Sequence, residues 1–148
     1  MNTSILDQVS GALPKLVWWR AADAPRVHVK TCEMVGRVET PALRLIVWVE
    51  ETSGRGGHVS DFKAKLTEPM RTESVQVEVR EGAREAVPVA MPFSLLPRGA
   101  SPELRVIAHL RDSLPARAGT IKGRVAAIGA KAHKVKWTGF SGSYNWEG

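Results

Sequence analysis

The 148 residues are enough for one domain with a single core, and 43% hydrophobic with 24% charged residues is an ordinary globular composition. No apolar run approaches the roughly 18 residues of a membrane-crossing helix, and the lone cysteine, Cys32, excludes an internal disulfide. The net charge of +6 is unevenly spread: Arg117, Lys122, Arg124, Lys131, Lys134 and Lys136 face only Glu147 in the C-terminal quarter, leaving +1 for residues 1–116.

Ile5, Val9 and Leu13 recur at spacings of four, with Ser4 or Thr3 as a cap and Gly11 or Pro14 as a stop. This predicts a short amphipathic helix or docked arm over 1–14. Asp7 and the absence of a basic n-region argue against a secretory signal, so a cytoplasmic location is expected.

From Lys15 onward the signal has period two, and the expected domain runs over 15–148. "KLVWWR" is a short apolar run whose adjacent Trp18 and Trp19 would face opposite ways on a strand. "RVHVK" alternates, "LRLIVWVEE" is the longest apolar stretch, and "DFKAKL" sets Phe62, Ala64 and Leu66 against Asp61, Lys63 and Lys65. "ESVQVEVR", "ELRVIAHL", "TIKGRVAAIG" and "HKVKW" follow, separated by Gly- and Pro-rich pieces. Many short strands between turn signals predict an all-β fold, a single antiparallel β-sandwich of about 8–9 strands. Pro88, Pro92 and Pro97 place 86–97 at an edge or in an extended crossover. "TSGRGGH" reads as a long hairpin tip and a contact loop, offering Arg55 and His58.

Groups suited to catalysis are sparse. His28, His58, His109 and His133 are scattered, with no pair at metal-site spacing. Cys32 lies four residues after His28, a conceivable nucleophilic pair, but it reads better as a small buried hydrophobe. "GRGGH" lacks the lysine and hydroxyl of a phosphate-binding loop. Glu50 and Glu51 look like the solvated end of a strand. No catalytic, cofactor or metal residue is assigned, and an enzyme is not expected.

The C-terminal "HKVKWTGFSGSYNWEG" concentrates aromatic and basic residues. "HKVKW" reads as a strand with Val135 and Trp137 on the core side and Lys134 and Lys136 outward, beside Lys122 and Arg124 alternating on the preceding strand. "FSGSYNWEG" reads as a Gly/Ser turn carrying Phe140, Tyr144 and Trp146. The candidate partner-contact residues are therefore Trp137, Phe140, Tyr144, Trp146, Lys134, Lys136, Arg55 and His58. The expected function is a non-catalytic protein-binding, structural or adaptor module, with a protein partner or a homo-oligomer. The alternative is nucleic-acid binding by 117–148, with lysines on the backbone and aromatics stacking on bases.

Two segments resemble known families. "VGRVE", "LRLIVWVEE" and "PVAMPFSLLPRGASPELRVIAHL", centred on "MPFSLLP" (Met91 to Pro97), resemble the arrestin-like β-sandwich of the sporulation-control type over about half the chain. That resemblance implies an adaptor or scaffold without catalysis. "VKWTGFSGSYNWEG" is similar to the chromodomain element, which implies an aromatic cage for methylated lysine at Trp137 and Phe140. It departs from that pattern where Asn145 directly precedes Trp146 and where Gly148 replaces proline. No aromatic residue stands near Ala118–Thr120 to complete a cage, so the likeness reads as convergence.

Overall fold

The computed structural model describes residues 24–80, 85–129 and 135–146. The expected 1–14 helix or arm, the "KLVWWR" strand with Trp18 and Trp19, and Lys134 lie outside the described residues. The described chain forms nine strands: β1 (Arg26–Gly36), β2 (Pro41–Glu50), β3 (Gly57–Leu66), β4 (Thr72–Val79), β5 (Val87–Pro88), β6 (Phe93–Leu95), β7 (Leu104–Leu110), β8 (Ala118–Gly129) and β9 (Thr138–Asn145). They pair antiparallel in two sheets, in the orders β1-β2-β7-β4-β5 and β6-β3-β8-β9. The all-β sandwich is as the alternation predicts. Without the short β5 and β6, β1-β2-β7-β4 over β3-β8-β9 is the strand arrangement of an immunoglobulin-type sandwich.

The core lies between the sheets. Leu43, Leu45, Val47 and Val49 of β2 and Leu104, Val106, Ala108 and Leu110 of β7 are buried. They face Val59, Phe62, Ala64, Ile121, Val125 and Ala127 of the other sheet. Period-two alternation alone does not produce this face. On β1, Val27 and Val29 join the core, and so do Cys32 and Met34, which have the opposite parity. A bulge between Val29 and Thr31 makes the switch by inserting one residue. A second bulge between Val59 and Asp61 does the same on β3, so that Val59 and Phe62 both point inward.

The proline-rich 86–97 segment is both edge and crossover. Val87–Pro88 ends the five-stranded sheet and Phe93–Leu95 ends the four-stranded one. Short, proline-bearing edges resist pairing with another chain. On the opposite side, β1 and β9 pack together across the sheets. Thr138 Oγ1 donates to the Val27 carbonyl at 2.6 Å. A Cβ on Gly142 would stand 2.9 Å from the Cys32 carbonyl oxygen, so this approach requires glycine.

The C-terminal reading needs correction. Residues 135–137 are not a strand, and the "FSGSYN" read as a turn is the body of β9. Its alternation sends Phe140, Gly142 and Tyr144 inward and Gly139, Ser141, Ser143 and Asn145 outward. Phe140 and Tyr144 bury enough apolar area to fix the strand although it has almost no β-branched residues.

Candidate functional site

The aromatic candidates separate by depth. Phe140 and Tyr144 are each only 8% exposed and belong to the core. Trp146 is half-buried: its ring sits 5.7 Å from that of Tyr144, and its backbone N–H donates to the Arg117 carbonyl at 2.7 Å. The tail thus folds back as a clasp, and Phe140 and Tyr144, read from the sequence as contact residues, are packed in the core. Trp137 does not point into the core as expected. Its half-buried ring lies on the outer face of the four-stranded sheet, with Arg124 Cζ 4.6 Å and Lys65 Nζ 5.6 Å from the ring centroid. Both distances are within cation–π range. Lys136 lies in the irregular segment before β9, where its Nζ donates to Thr52 Oγ1 at 2.8 Å, so it does not stand on a strand face.

Cross-strand register gives the two outer faces opposite electrostatics. On the five-stranded sheet it sets acid against base: Glu33 opposite Arg44 and Glu78 opposite Arg105. Arg44 bonds Glu33, Lys30 meets Glu103 at 2.9 Å, and His28 Nε2 meets Glu50 at 2.9 Å while its ring stacks on Trp48. On the four-stranded sheet, register sets base against base, with Lys65 directly opposite Arg124. Lys63 and Lys122 extend the same outward rows and are exposed. Among the described residues no carboxylate forms an ion pair with Lys63, Lys65, Lys122 or Arg124. The one acid in these rows, Asp61, accepts the Phe62 N–H at 2.8 Å. Like charges directly opposite each other destabilise a sheet, and the Trp137 ring partly offsets that cost.

These cations border an open groove of about 440 Å³ lined by Lys65, Leu66, Thr67, Lys122, Gly123, Arg124, Gly139 and Phe140. Two glycines shape it differently. At Gly123, on the inward parity, a Cβ would stand 2.3 Å from the Lys65 carbonyl oxygen and 2.8 Å from Phe140 Cζ, which no side chain survives. At Gly139, directly opposite Arg124 and outward, a Cβ would meet nothing nearer than 3.9 Å. The missing Gly139 side chain therefore leaves a gap in the outer row opposite Arg124.

Arg55 and His58 sit at the end of the sandwich, apart from the groove residues. His58 Nδ1 and Ser94 Oγ are 3.1 Å apart across the β3–β6 pair. The loop carrying Arg55 is pinned by Glu51, which sequence reading placed in solvent. Glu51 is 3% exposed and accepts from Ser53 N (2.7 Å), Ser53 Oγ, Gly54 N (2.8 Å) and Arg98 N (2.8 Å). Burial raises the Glu51 pKa, but these four donors outweigh it and bring the carboxyl down from 4.5 to about 2. Arg98 lies at φ 56° in the turn closed by Gly99 N to Leu96 O at 2.8 Å, and its bond to Glu51 helps hold that left-handed conformation. The knot ties the loop after β2 to the loop before β7, and Glu51 N to Gly99 O at 2.9 Å adds to it.

The His28–Cys32 pair is not assembled. His28 stacks outward on Trp48, while Cys32 packs against the core beneath β9. Burial, with the nearby Glu33 charge, pushes the Cys32 thiol up to about 11, which suppresses thiolate. Neither family models nor curated proteins give a match to this chain.

Proposed function

We propose that this chain is a non-catalytic binding module, an adaptor or structural component, that docks an acidic protein through the outer face of its four-stranded sheet. The supporting observation is the quartet of Lys63, Lys65, Lys122 and Arg124, which meets no ion-pairing carboxylate among the described residues, on a scaffold whose other outer face sets Glu33 opposite Arg44 and Glu78 opposite Arg105. An unopposed charged face on a rigid sheet steers and orients an oppositely charged partner. The likeness of Met91–Pro97 to arrestin-like sandwiches supports the same adaptor reading.

The same cations favour nucleic acid as the second reading. Against it, Phe140 and Tyr144 are in the core and Trp137 is engaged by Arg124, so these three aromatics offer little stacking surface beside the cations. Fluorescence anisotropy with a labelled Glu/Asp-rich peptide and a single-stranded DNA of equal charge separates the two. The peptide is expected to bind, to weaken as salt rises, and to be lost in the Lys63→Glu/Lys122→Glu double variant. No peptide binding at low salt sinks the docking reading, and preferential DNA binding establishes the alternative.

A further inference from the structure

The groove between β3, β8 and β9 has more charge than recognition of a single carboxylate needs. The geometry points to a site for a dianionic phosphoryl group, presented as a phosphorylated side chain of the acidic partner. This rests on the docking reading above and names the chemical group that the face selects.

Three observations converge. First, Lys65, Arg124 and Lys122 all line one groove of about 440 Å³. Lys65 and Arg124 are cross-strand neighbours, and Lys122 is two residues from Arg124 on the same face, so the three side chains leave the sheet within roughly 8 Å of one another. A phosphoryl group brings a charge of about −2 and three acceptor oxygens, whereas a carboxylate brings −1 and two. Second, Arg124 Cζ is held 4.6 Å from the Trp137 ring centroid, and its N–H groups make no hydrogen bond among the described residues, so the fork is left for oxyanion oxygens. Third, Gly139 leaves a gap opposite Arg124, and its outer-row neighbours on β9, Ser141 and Ser143, are small. A tetrahedral group can thus reach the guanidinium edge without displacing a side chain. Thr67 lines the same groove and brings a hydroxyl.

Gly139 also provides the test. A side chain there projects into the groove from a position with ordinary negative φ and no atom within 3.9 Å, so Gly139→Leu plugs the site without straining the sheet. The probe is a labelled acidic peptide with a central phosphoserine, compared with the same peptide carrying serine or glutamate there. The full chain is titrated by anisotropy at fixed salt, and thermal melting checks the fold of each variant. The expected result is binding at least about 10-fold tighter for phosphoserine than for glutamate. Gly139→Leu and, independently, Arg124→Gln bring the phosphopeptide to the affinity of the serine peptide.

If phosphoserine and glutamate peptides bind alike, the phosphoryl site is overturned while acidic docking stands. If no peptide binds, both readings fall. If inorganic phosphate competes with the phosphopeptide at equal affinity, the groove serves free phosphate and the docking assignment is overturned. Tighter binding of the single-stranded DNA than of the phosphopeptide overturns it in favour of nucleic acid.

Discussion

Replacing Glu51 with glutamine tests whether the buried carboxylate holds the end of the sandwich together. Each of its oxygens accepts two donors: Oε2 from Ser53 N and Oγ, and Oε1 from Gly54 N and Arg98 N. An amide placed there must turn its NH₂ toward one of these pairs, so Glu51→Gln loses the charge and sets donors against donors. The pKa depression from 4.5 to about 2 corresponds to about 3 kcal/mol of stability at neutral pH. Because the folded pKa lies below the unfolded one, that stability is present above about 4.5 and is lost as pH falls toward 2. Urea denaturation at pH 7 is expected to show the variant less stable by about 3 kcal/mol, a midpoint shift on the order of 1–2 M. The gap between the two proteins is expected to narrow between pH 4.5 and 2, because the native carboxyl protonates while the amide does not. A difference below about 1 kcal/mol at pH 7, or one that persists unchanged into acid, would refute the reasoning.

Gly123→Ala is expected to lose on the order of 1–3 kcal/mol or more, since its Cβ meets the Lys65 carbonyl oxygen at 2.3 Å, a backbone atom that cannot swing aside. Gly139→Ala is the matched control, expected within about 0.5 kcal/mol by thermal melting. Phe140→Ala and Tyr144→Ala each bear on the clasp; both are expected to cost about 3–5 kcal/mol in denaturant, and a cost near zero would mean the tail is not packed. Cys32, its thiol raised by burial and by Glu33 from 9.0 to about 11, is expected to react with iodoacetamide at pH 8 about 100-fold more slowly in the native protein than in urea. Equal rates would contradict its placement beneath β9.

Strands were legible wherever β-branched residues alternated with charges, as in β2, β4 and β7. What alternation could not show is where parity changes. The bulges on β1 and β3 each insert a residue, and their position depends on how a strand curves around the opposite sheet. β9 was missed for a compositional reason: glycine and serine normally mark turns. Here smallness is a packing requirement only at 142, for the approach to β1; the small residues at 139, 141 and 143 lie on the exposed outer face beside the cations of β8. The spacing of Phe140 and Tyr144 around Gly142 was the available clue. Glu51 had one too, since it continues the inward parity of Leu43, Leu45, Val47 and Val49, followed by Ser53 and Gly54 as local donors.

The charge distribution along the chain concealed the site for a different reason. A window over residues 1–116 sums to +1, so Lys63 and Lys65 vanish into a neutral background. Lys122 and Arg124 stand in the basic quarter, where the alternation of "HKVKW" singles out Lys134 and Lys136 instead. Register is what converts these into a face: pairing β3 with β8 sets two lysines of the neutral segment against the basic strand. The same register rule, applied to β1, β2, β4 and β7, sets acid against base on the opposite face. Net charge is a sum over sequence, whereas a partner meets a sum over one surface. A sheet that pairs acid with base on one side and leaves base against base on the other accepts a local loss of stability. An anionic partner seated at Lys65 and Arg124 would remove that loss, so the face should stiffen on binding. Amide exchange in β8 and β9 should then slow when the phosphopeptide is present, and unchanged exchange would place the bound peptide elsewhere.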